Sequence, residues 1–398
     1  MATTNARRLS VALVTETYLP EVNGVAMTLG RLTEGLAARG HRVRIVRPRQ
    51  KHEATGRLPD GQLLTPGLPI PRYPDLRFGL PAGDRLHSAW LERMPDIVHI
   101  ATEGPLGYSA LMAARRLGIP VLSTFHTNFH SYSRHYGIGW LRRGIEGYLR
   151  WFHNRTAATL VPTAALARQL GEKGFRDVRV LSRGVDSNQF NPARRLSLLR
   201  LQWGARADDL VCIVVGRLAP EKNLALAFAA FEAIRTERPN ARMVCVGDGP
   251  LARTLARRHP EVHFCGARHG AELAAHYASA DLFLFPSLTE TFGNVVTEAL
   301  ASGLPVVAFD HAAAGELIDN GHNGLLATPG NAGAFIAASR KLARAVAGQT
   351  AQRDACADSV RHLSWERIHD SYAEMLVEIV ARRPAVLPIG TEIHFAPD

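Results

Sequence analysis

The stretch Pro286-Ser-Leu-Thr-Glu290-Thr-Phe-Gly293-Asn294-Val-Val-Thr-Glu298-Ala-Leu-Ala-Ser-Gly303-Leu-Pro305 follows directly on the apolar run Leu282 to Phe285. A buried strand ends at Phe285, a loop holding Gly293 follows, and helical spacing begins near Asn294. At such a corner the free N–H groups and the positive end of the helix face the carboxyl edge of a parallel sheet, which makes an anion site. Glu290 falls in the loop and Glu298 about one turn into the helix, a spacing that suits a long ligand: one carboxylate can meet hydroxyls of a sugar while the other reaches a ribose beside a diphosphate. For an isolated pair of glutamates, a solvated loop acid and a helix-face acid would be the better reading.

The same alternation runs outward in both directions. Short β-branched runs alternate with longer segments of helical period, the pattern of parallel sheets covered by helices on both faces. In the first half the strands fall at Ser10 to Thr15, Arg42 to Val46, Ile97 to Ile100, Val121 to Thr124 and Ala158 to Val161, with helices such as Val25 to Arg39 and Leu106 to Leu117. In the second half they fall at Leu210 to Val215, Arg242 to Val246, Val262 to Phe264, Leu282 to Phe285 and Val306 to Ala308. A chain of 398 residues accommodates two cores of roughly 150 to 200 residues each. Turn formers Gly184, Asp186, Asn188 and Pro192 cluster between the halves. The expected organisation is a first domain over 1–184, a second over 185–364, a helix over 365–383 and a loosely ordered tail over 384–398. That helix carries Ile368, Tyr372, Met375, Leu376 and Ile379 on one face and needs a surface to cover. Leu58 to Pro81, rich in Gly and Pro, reads as an irregular excursion within the first domain.

Composition sets the outer bounds. Hydrophobic residues make up 46% and charged residues 21%, so the chain can bury enough surface to fold. Cys212, Cys245, Cys265 and Cys356 lack the close pairing of zinc or redox motifs and read as free thiols in a reducing compartment. The apolar run Leu9 to Val14 is too short for a secretory signal and is closed by Glu16, so it reads as a first strand. No stretch approaches the roughly 18 to 20 apolar residues of a membrane-spanning helix, which leaves a cytoplasmic protein, either soluble or peripheral on the cytoplasmic membrane face. The net charge of +11 implies an anionic partner: nucleic acid, anionic lipid or a phosphorylated substrate.

Glu-x7-Glu after an apolar strand, with Gly293 between the acids and Gly-x-Pro after them, strongly resembles the donor-site signature of family 4 glycosyltransferases of the GT-B fold, and the resemblance extends over essentially the whole chain. It implies two Rossmann-like domains whose parallel sheets face each other across a cleft, with a C-terminal helix crossing back onto the first domain. Val214-Val-Gly216-Arg217-Leu218-Ala-Pro-Glu221-Lys222-Asn223 resembles the segment whose arginine and lysine hold the donor diphosphate. Cations at that strand end would stabilise the charge that accumulates on a departing diphosphate. Glu21-Val-Asn23-Gly24-Val25 is similar to the family's glycine loop, which touches donor phosphate or acceptor. Thr124-Phe-His126-Thr127-Asn128 resembles the segment whose histidine contacts the transferred sugar. A lone histidine is otherwise more often a satisfied structural residue.

The resemblance thus implies catalytic roles for His126, Glu290, Arg217 and Lys222. Donor binding falls to Gly24, Arg217, Lys222, Gly247, Arg268, Glu290, Phe292, Gly293, Asn294 and Glu298, with the nucleobase against Val246 to Gly249 and Cys265 to Arg268. Asn23, Glu103 and Asn128 lie on the acceptor side. No Asp-x-Asp pair occurs in the chain, so the carboxylate clamp of a metal-bound diphosphate is missing. The expectation is a metal site of none and no cofactor, only a nucleotide-sugar co-substrate. His126, His130 and His135 have no accompanying carboxylate or Cys cluster that would suit zinc. Gly247-Asp248-Gly249 is half of a dinucleotide fingerprint, but the first strand lacks Gly-x-Gly-x-x-Gly, which disfavours a dehydrogenase. Retention of anomeric configuration is implied by the family alone.

Overall appearance is closest to GDP-mannose-dependent α-mannosyltransferases and to sulfoquinovosyl-diacylglycerol synthase-like enzymes, so the donor is GDP-mannose or a UDP-sugar. A lipid or glycolipid acceptor fits the run Arg134 to Arg155, where Arg134, Arg142, Arg143, Arg150 and Arg155 mix with Tyr136, Trp140, Tyr148, Trp151 and Phe152. Those residues suit an anionic membrane surface; the alternative is a helix packing its aromatics into its own domain. A nucleotide-sugar epimerase or a glycosyl phosphorylase explains the Glu290 and Glu298 pair less well. A nucleic-acid-binding protein would explain the charge but should line one face with basic residues and base-stacking aromatics, whereas the motifs here concentrate at strand ends.

Overall fold

The computed structural model describes residues 7–19, 21, 23–50, 53, 61–70, 73–126, 139–346 and 350–382. Among these residues two all-parallel sheets carry the fold. The first has seven strands in the order β3-β2-β1-β6-β7-β8-β9, formed by β1 Ser10–Val14, β2 Arg42–Pro48, β3 Gln62–Thr65, β6 Ile97–Ile100, β7 Val121–Thr124, β8 Ala158–Val161 and β9 Val178–Val180. The second has six in the order β12-β11-β10-β13-β14-β15, formed by β10 Val211–Val215, β11 Arg242–Val246, β12 His263–Gly266, β13 Leu282–Phe285, β14 Val306–Phe309 and β15 Gly324–Ala327. In each sheet the chain reverses its direction of growth beside the first strand, which opens a crevice at the carboxyl edge.

Two-sided burial explains the unbroken apolar runs. Along β10, Ile213 packs with Val244, Phe283, Val296 and Val306 on one face, while Cys212 and Val214 pack with Met243, Cys245, Leu284 and Phe309 on the other. The buried cysteines are therefore core residues, and burial raises the pKa of the Cys212 and Cys245 thiols.

The excursion expected to be irregular is ordered where described: it supplies β3 and an antiparallel hairpin, β4 Gly67–Ile70 with β5 Tyr73–Gly79. Its glycine and proline residues mask strand character because a two-stranded hairpin is all edge, where a missing N–H is tolerated.

The helix Trp365–Ala381 lies far from the first sheet in sequence yet packs against it. Ile368, Tyr372, Leu376 and Ile379 join Leu9, Val11, Leu32, Leu36, Ile97 and Leu160 in one core. Gly35 permits the approach, since a Cβ there would stand 2.2 Å from the His369 ring. Tyr372 Oη meets Nδ1 of the buried His99 at 2.5 Å, and Nε2 of that ring meets Thr124 Oγ1 at 2.6 Å. Arg39 to Asp370 and Arg179 to Glu378, each 2.8 Å, pin the helix edges.

Candidate functional site

At the carboxyl edge of the second sheet, β13 delivers the chain into the loop that holds Glu290. Ser287 Oγ donates to Glu290 Oε1 at 2.7 Å, and Lys222 Nζ forms an ion pair with the same oxygen. Lys222 is brought there by a tight turn, Pro220–Lys222, which passes into the helix Leu224–Arg235 through Asn223 in the left-handed region (φ 52°). Asparagine tolerates that conformation better than most side chains, and its Nδ2 donates to Pro286 O at 3.4 Å. Arg217 stands exposed just beyond β10.

The loop ends at Gly293, whose φ of 95° admits glycine with least strain, and the helix Asn294–Ala301 begins without a side-chain cap. Its first-turn N–H groups lack that usual partner, and Asn294 Oδ1 is buried without a partner among the described residues. One turn on, Glu298 Oε2 accepts from Tyr277 Oη at 3.1 Å, and burial pushes the Glu298 carboxyl up to about 7. Phe292 is buried beneath the loop, its carbonyl accepting from Ala313 N at 2.8 Å.

The loops after β10 and β11 are zipped together. Gly216 N donates to Val246 O at 3.0 Å and Leu218 N to Asp248 O at 2.9 Å. Gly247 has a φ of 139°, and a Cβ there would lie 1.9 Å from Gly216 O. Gly247→Ala combines backbone strain with a clash against main chain, which costs about 3 kcal/mol or more. The expected result in a thermal melt is a Tm lower by roughly 6 to 12 °C; an unchanged Tm would contradict this packing. Arg268 extends past β12, exposed, with Nη1 3.4 Å from Glu272 Oε2.

Across the cleft, Asn23 acts as the cap of the helix Gly24–Ala38, its Oδ1 accepting from Val25 N at 3.1 Å and Ala26 N at 2.9 Å, while its Nδ2 donates to Thr17 Oγ1 at 2.7 Å. The carbonyl of Gly24 accepts from Arg183 Nη1 at 3.2 Å; the same nitrogen donates to Thr28 Oγ1 at 3.0 Å, and Arg183 Nη2 donates to His126 Nδ1 at 3.3 Å. His126 follows β7. Its Nε2 is shut off from solvent and unpartnered among the described residues, and burial, seconded by the Arg183 charge, holds the ring well below the ordinary imidazole pKa.

The two halves meet here. Thr291 Oγ1 donates to His126 O at 3.2 Å, and the Arg183 guanidinium lies 5.8 Å from the Phe292 ring centroid. His126, Gly24, Phe292 and Glu290 with Lys222 are thus gathered around Arg183 and Thr291, neither of which the sequence singled out as a site residue. His126 Nε2 and Asn294 Oδ1 are two buried polar atoms here that have no hydrogen-bond partner among the described residues.

Glu103 belongs to a separate cluster. Its Oε1 lies 3.1 Å from Nε2 of the buried His153, whose Nδ1 meets Ser123 Oγ at 2.8 Å. Beside it burial pushes Glu16 up to about 7, with Gly79 N donating to its Oε1 at 3.3 Å. Asn128 lies outside the described residues, as do Arg134 and Tyr136 of the basic run and the side chains of Trp140 and Arg142. In the helix Gly139–His153, Leu149 and Phe152 point into the domain, which fits the packing alternative. Tyr148 faces outward, and Trp151 stacks with Tyr108 at 5.8 Å and with Tyr148 at 6.2 Å beneath Arg155, 4.1 Å from the indole. Among the described residues no group of three or more His, Cys, Asp or Glu could hold a metal ion, and no helix is long and apolar enough to cross a membrane.

Two parallel sheets that face each other over a cleft, with a lysine–glutamate pair and an uncapped helix start at the carboxyl edge of the second, define a GT-B glycosyltransferase. The sequence profile described as "Glycosyltransferase Family 4" matches residues 22–189 and that described as "Glycosyl transferases group 1" matches 209–345, and the chain belongs to the family 4 glycosyltransferases. It is 37% identical over 322 residues to a "GDP-mannose-dependent alpha-mannosyltransferase" of Mycobacterium tuberculosis, covering 79% of this chain and 83% of that one. It is 28% identical over 326 residues to an "Alpha-monoglucosyldiacylglycerol synthase" of Streptococcus pneumoniae, covering 78% and 74%. Among solved structures, sucrose-phosphate synthase from Thermosynechococcus elongatus superposes with a TM-score of 0.73 at 19% identity over 94% of this chain and 100% of that one, a likeness of fold.

Proposed function

We propose that the protein is a retaining, metal-independent hexosyltransferase that moves mannose from GDP-mannose to a lipid or glycolipid acceptor. The observation that carries this reading is the junction of Glu290 and Lys222, on one sheet, with His126, on the other, where Thr291 Oγ1 donates to His126 O across the cleft. The mycobacterial relative's name supports GDP-mannose and the streptococcal relative's name a diacylglycerol-based acceptor.

In this reading the diphosphate draws Lys222 Nζ away from Glu290 and rests against Arg217 and the helix start at Asn294. Those positive groups stabilise the charge that builds on the leaving phosphate more than they stabilise the bound donor. Glu290, released, accepts hydrogen bonds from sugar hydroxyls, and His126 Nε2–H donates to another. The departing diphosphate takes the acceptor's proton on the face it leaves, which gives retention without a carboxylate nucleophile. Gly24 fits this use, because a Cβ there would meet the protein only at an ordinary contact distance of 3.8 Å; the missing side chain leaves room for ligand. No metal is needed if lysine and arginine supply the charge. Tyr108, Tyr148 and Trp151, with Arg150 and Arg155, suit peripheral contact with the anionic cytoplasmic face of a membrane.

Thermal stabilisation in EDTA by GDP, GDP-mannose, UDP and UDP-glucose tests the donor, because selective binding raises Tm. A response confined to guanine ligands is expected; a response confined to uracil ligands would move the assignment to a UDP-sugar-dependent diacylglycerol glycosyltransferase.

Glu298 adds a pH prediction. Ribose hydroxyls donate to the carboxylate form, so donor binding expels the proton that burial keeps on the acid below about pH 7. Nucleotide affinity is therefore expected to rise with pH and level off above 7, falling by up to about tenfold per unit below it. Calorimetric titration between pH 5.5 and 8.5 checks this, and Glu298→Gln should flatten the profile.

A further inference from the structure

Arg183 is a buried cation that joins the helix start at Gly24, Thr28 and His126, and the mechanism above gives it no role in sugar transfer. It lies between β9 and the second domain, in a cluster of turn formers, with 6% of its surface exposed. A guanidinium carries five donors and no acceptor and keeps its protons in proteins. Its 3.3 Å contact with His126 can therefore run in one direction only: Nη2–H donates and Nδ1 accepts. An imidazole whose Nδ1 accepts must carry its proton on Nε2 if neutral. The positive guanidinium against the ring, together with burial, opposes a second proton. The remaining nitrogen, Nε2, is the one that has no partner among the described residues.

We propose that Arg183 is a positioning residue that fixes His126 as the neutral, Nε2-protonated tautomer, so that the ring offers one permanent hydrogen-bond donor to a hydroxyl of the transferred sugar and never serves as a base. The arginine is itself held rigidly: Gly24 O and Thr28 Oγ1 receive its Nη1, and the guanidinium stacks toward Phe292. It thereby ties the ring's proton to the seating of the glycine loop and the donor loop. The other titratable groups facing this pair act as follows. His99 and His153, in the same domain, oppose protonation of His126, and Glu290, from the donor loop, favours the charge on Arg183. Thr124, Thr28 and Thr291 on the surrounding elements are uncharged. The inference deepens the transfer mechanism proposed above and rests on it for the sugar contact, but the tautomer itself is independent of donor, acceptor and turnover.

The test is nitrogen NMR of full-length protein labelled with ¹⁵N-histidine, with His126 assigned by its loss in His126→Gln. The expected spectrum shows a protonated Nε2 and a bare Nδ1 that do not titrate between pH 5 and 8. In Arg183→Met, where burial still keeps the ring neutral, the Nε2–H preference should be lost, with an Nδ1-protonated signal appearing, and kcat should fall at least about tenfold while donor KM stays within about twofold. Arg183→Lys, which returns a cationic donor, should restore part of the tautomer preference. A wild-type ring protonated on Nδ1, or one that titrates in the window, would overturn the proposal without any variant having to fold. The predicted tautomer in a protein that fails to transfer mannose would leave this inference standing and sink the donor assignment instead.

Discussion

Glu290→Ala is expected to reduce transfer by about 10² to 10³-fold while the Kd for nucleotide stays within about threefold. The asymmetry follows from what the carboxylate touches. Oε1 of Glu290 is the shared acceptor of Lys222 Nζ and Ser287 Oγ, and the loop around it is held independently by Gly293, Phe292 and Asn223. Removing the carboxylate frees a lysine that the diphosphate can then use, so nucleotide binding gains as much as it loses. What disappears, on the proposed mechanism, is the acceptor of sugar hydroxyls, whose bonds would strengthen as the anomeric carbon becomes positive, and a loss confined to the transition state appears in kcat. Steady-state kinetics with calorimetric nucleotide binding reads both numbers. Full transfer by the variant would remove Glu290 from the mechanism.

Lys222→Ala should weaken both steps, with nucleotide Kd raised about tenfold and kcat lowered by a further ~10²-fold. Two effects add. The diphosphate loses a cation, and Glu290 loses its counter-charge, so a carboxylate held by Ser287 then faces an incoming anion. Adding Glu290→Gln to the Lys222→Ala background removes that repulsion. The double variant should therefore bind nucleotide more tightly than Lys222→Ala alone, although it transfers no faster; equal affinities would show that the two side chains do not act on one site.

How much of this the sequence discloses depends on the distance over which each feature is determined. The buried strands are legible because burial on both faces leaves nothing but apolar residues, as in Leu282–Phe285 and Val211–Val215. The donor loop is legible for the same local reason: strand, glycine and helix start are contiguous. The β4–β5 hairpin was hidden by composition, since proline and glycine are as compatible with a two-stranded ribbon as with an irregular loop. β9 has only three residues, and β15, Gly-Leu-Leu-Ala, carries none of the β-branched or aromatic side chains that mark a strand.

Arg183 illustrates the harder case. Its partners Thr28, Gly24 and His126 lie 155, 159 and 57 positions away, so nothing local distinguishes it from a linker cation beside Gly184. Tyr277, 21 residues before Glu298, is hidden likewise. Asn23, by contrast, carried a local signal: an asparagine immediately before a helix caps it, which accounts for its amide oxygen without a ligand.

The most direct measurement is transfer itself. Protein in EDTA is incubated with GDP-mannose and vesicles containing a diacylglycerol glycolipid, and the lipid product is isolated for NMR of its new anomeric centre. A lipid-linked α-mannoside, formed without metal and abolished in Glu290→Ala, is the predicted result. A β-linked product, or activity that appears only when a divalent metal is restored, would contradict the account.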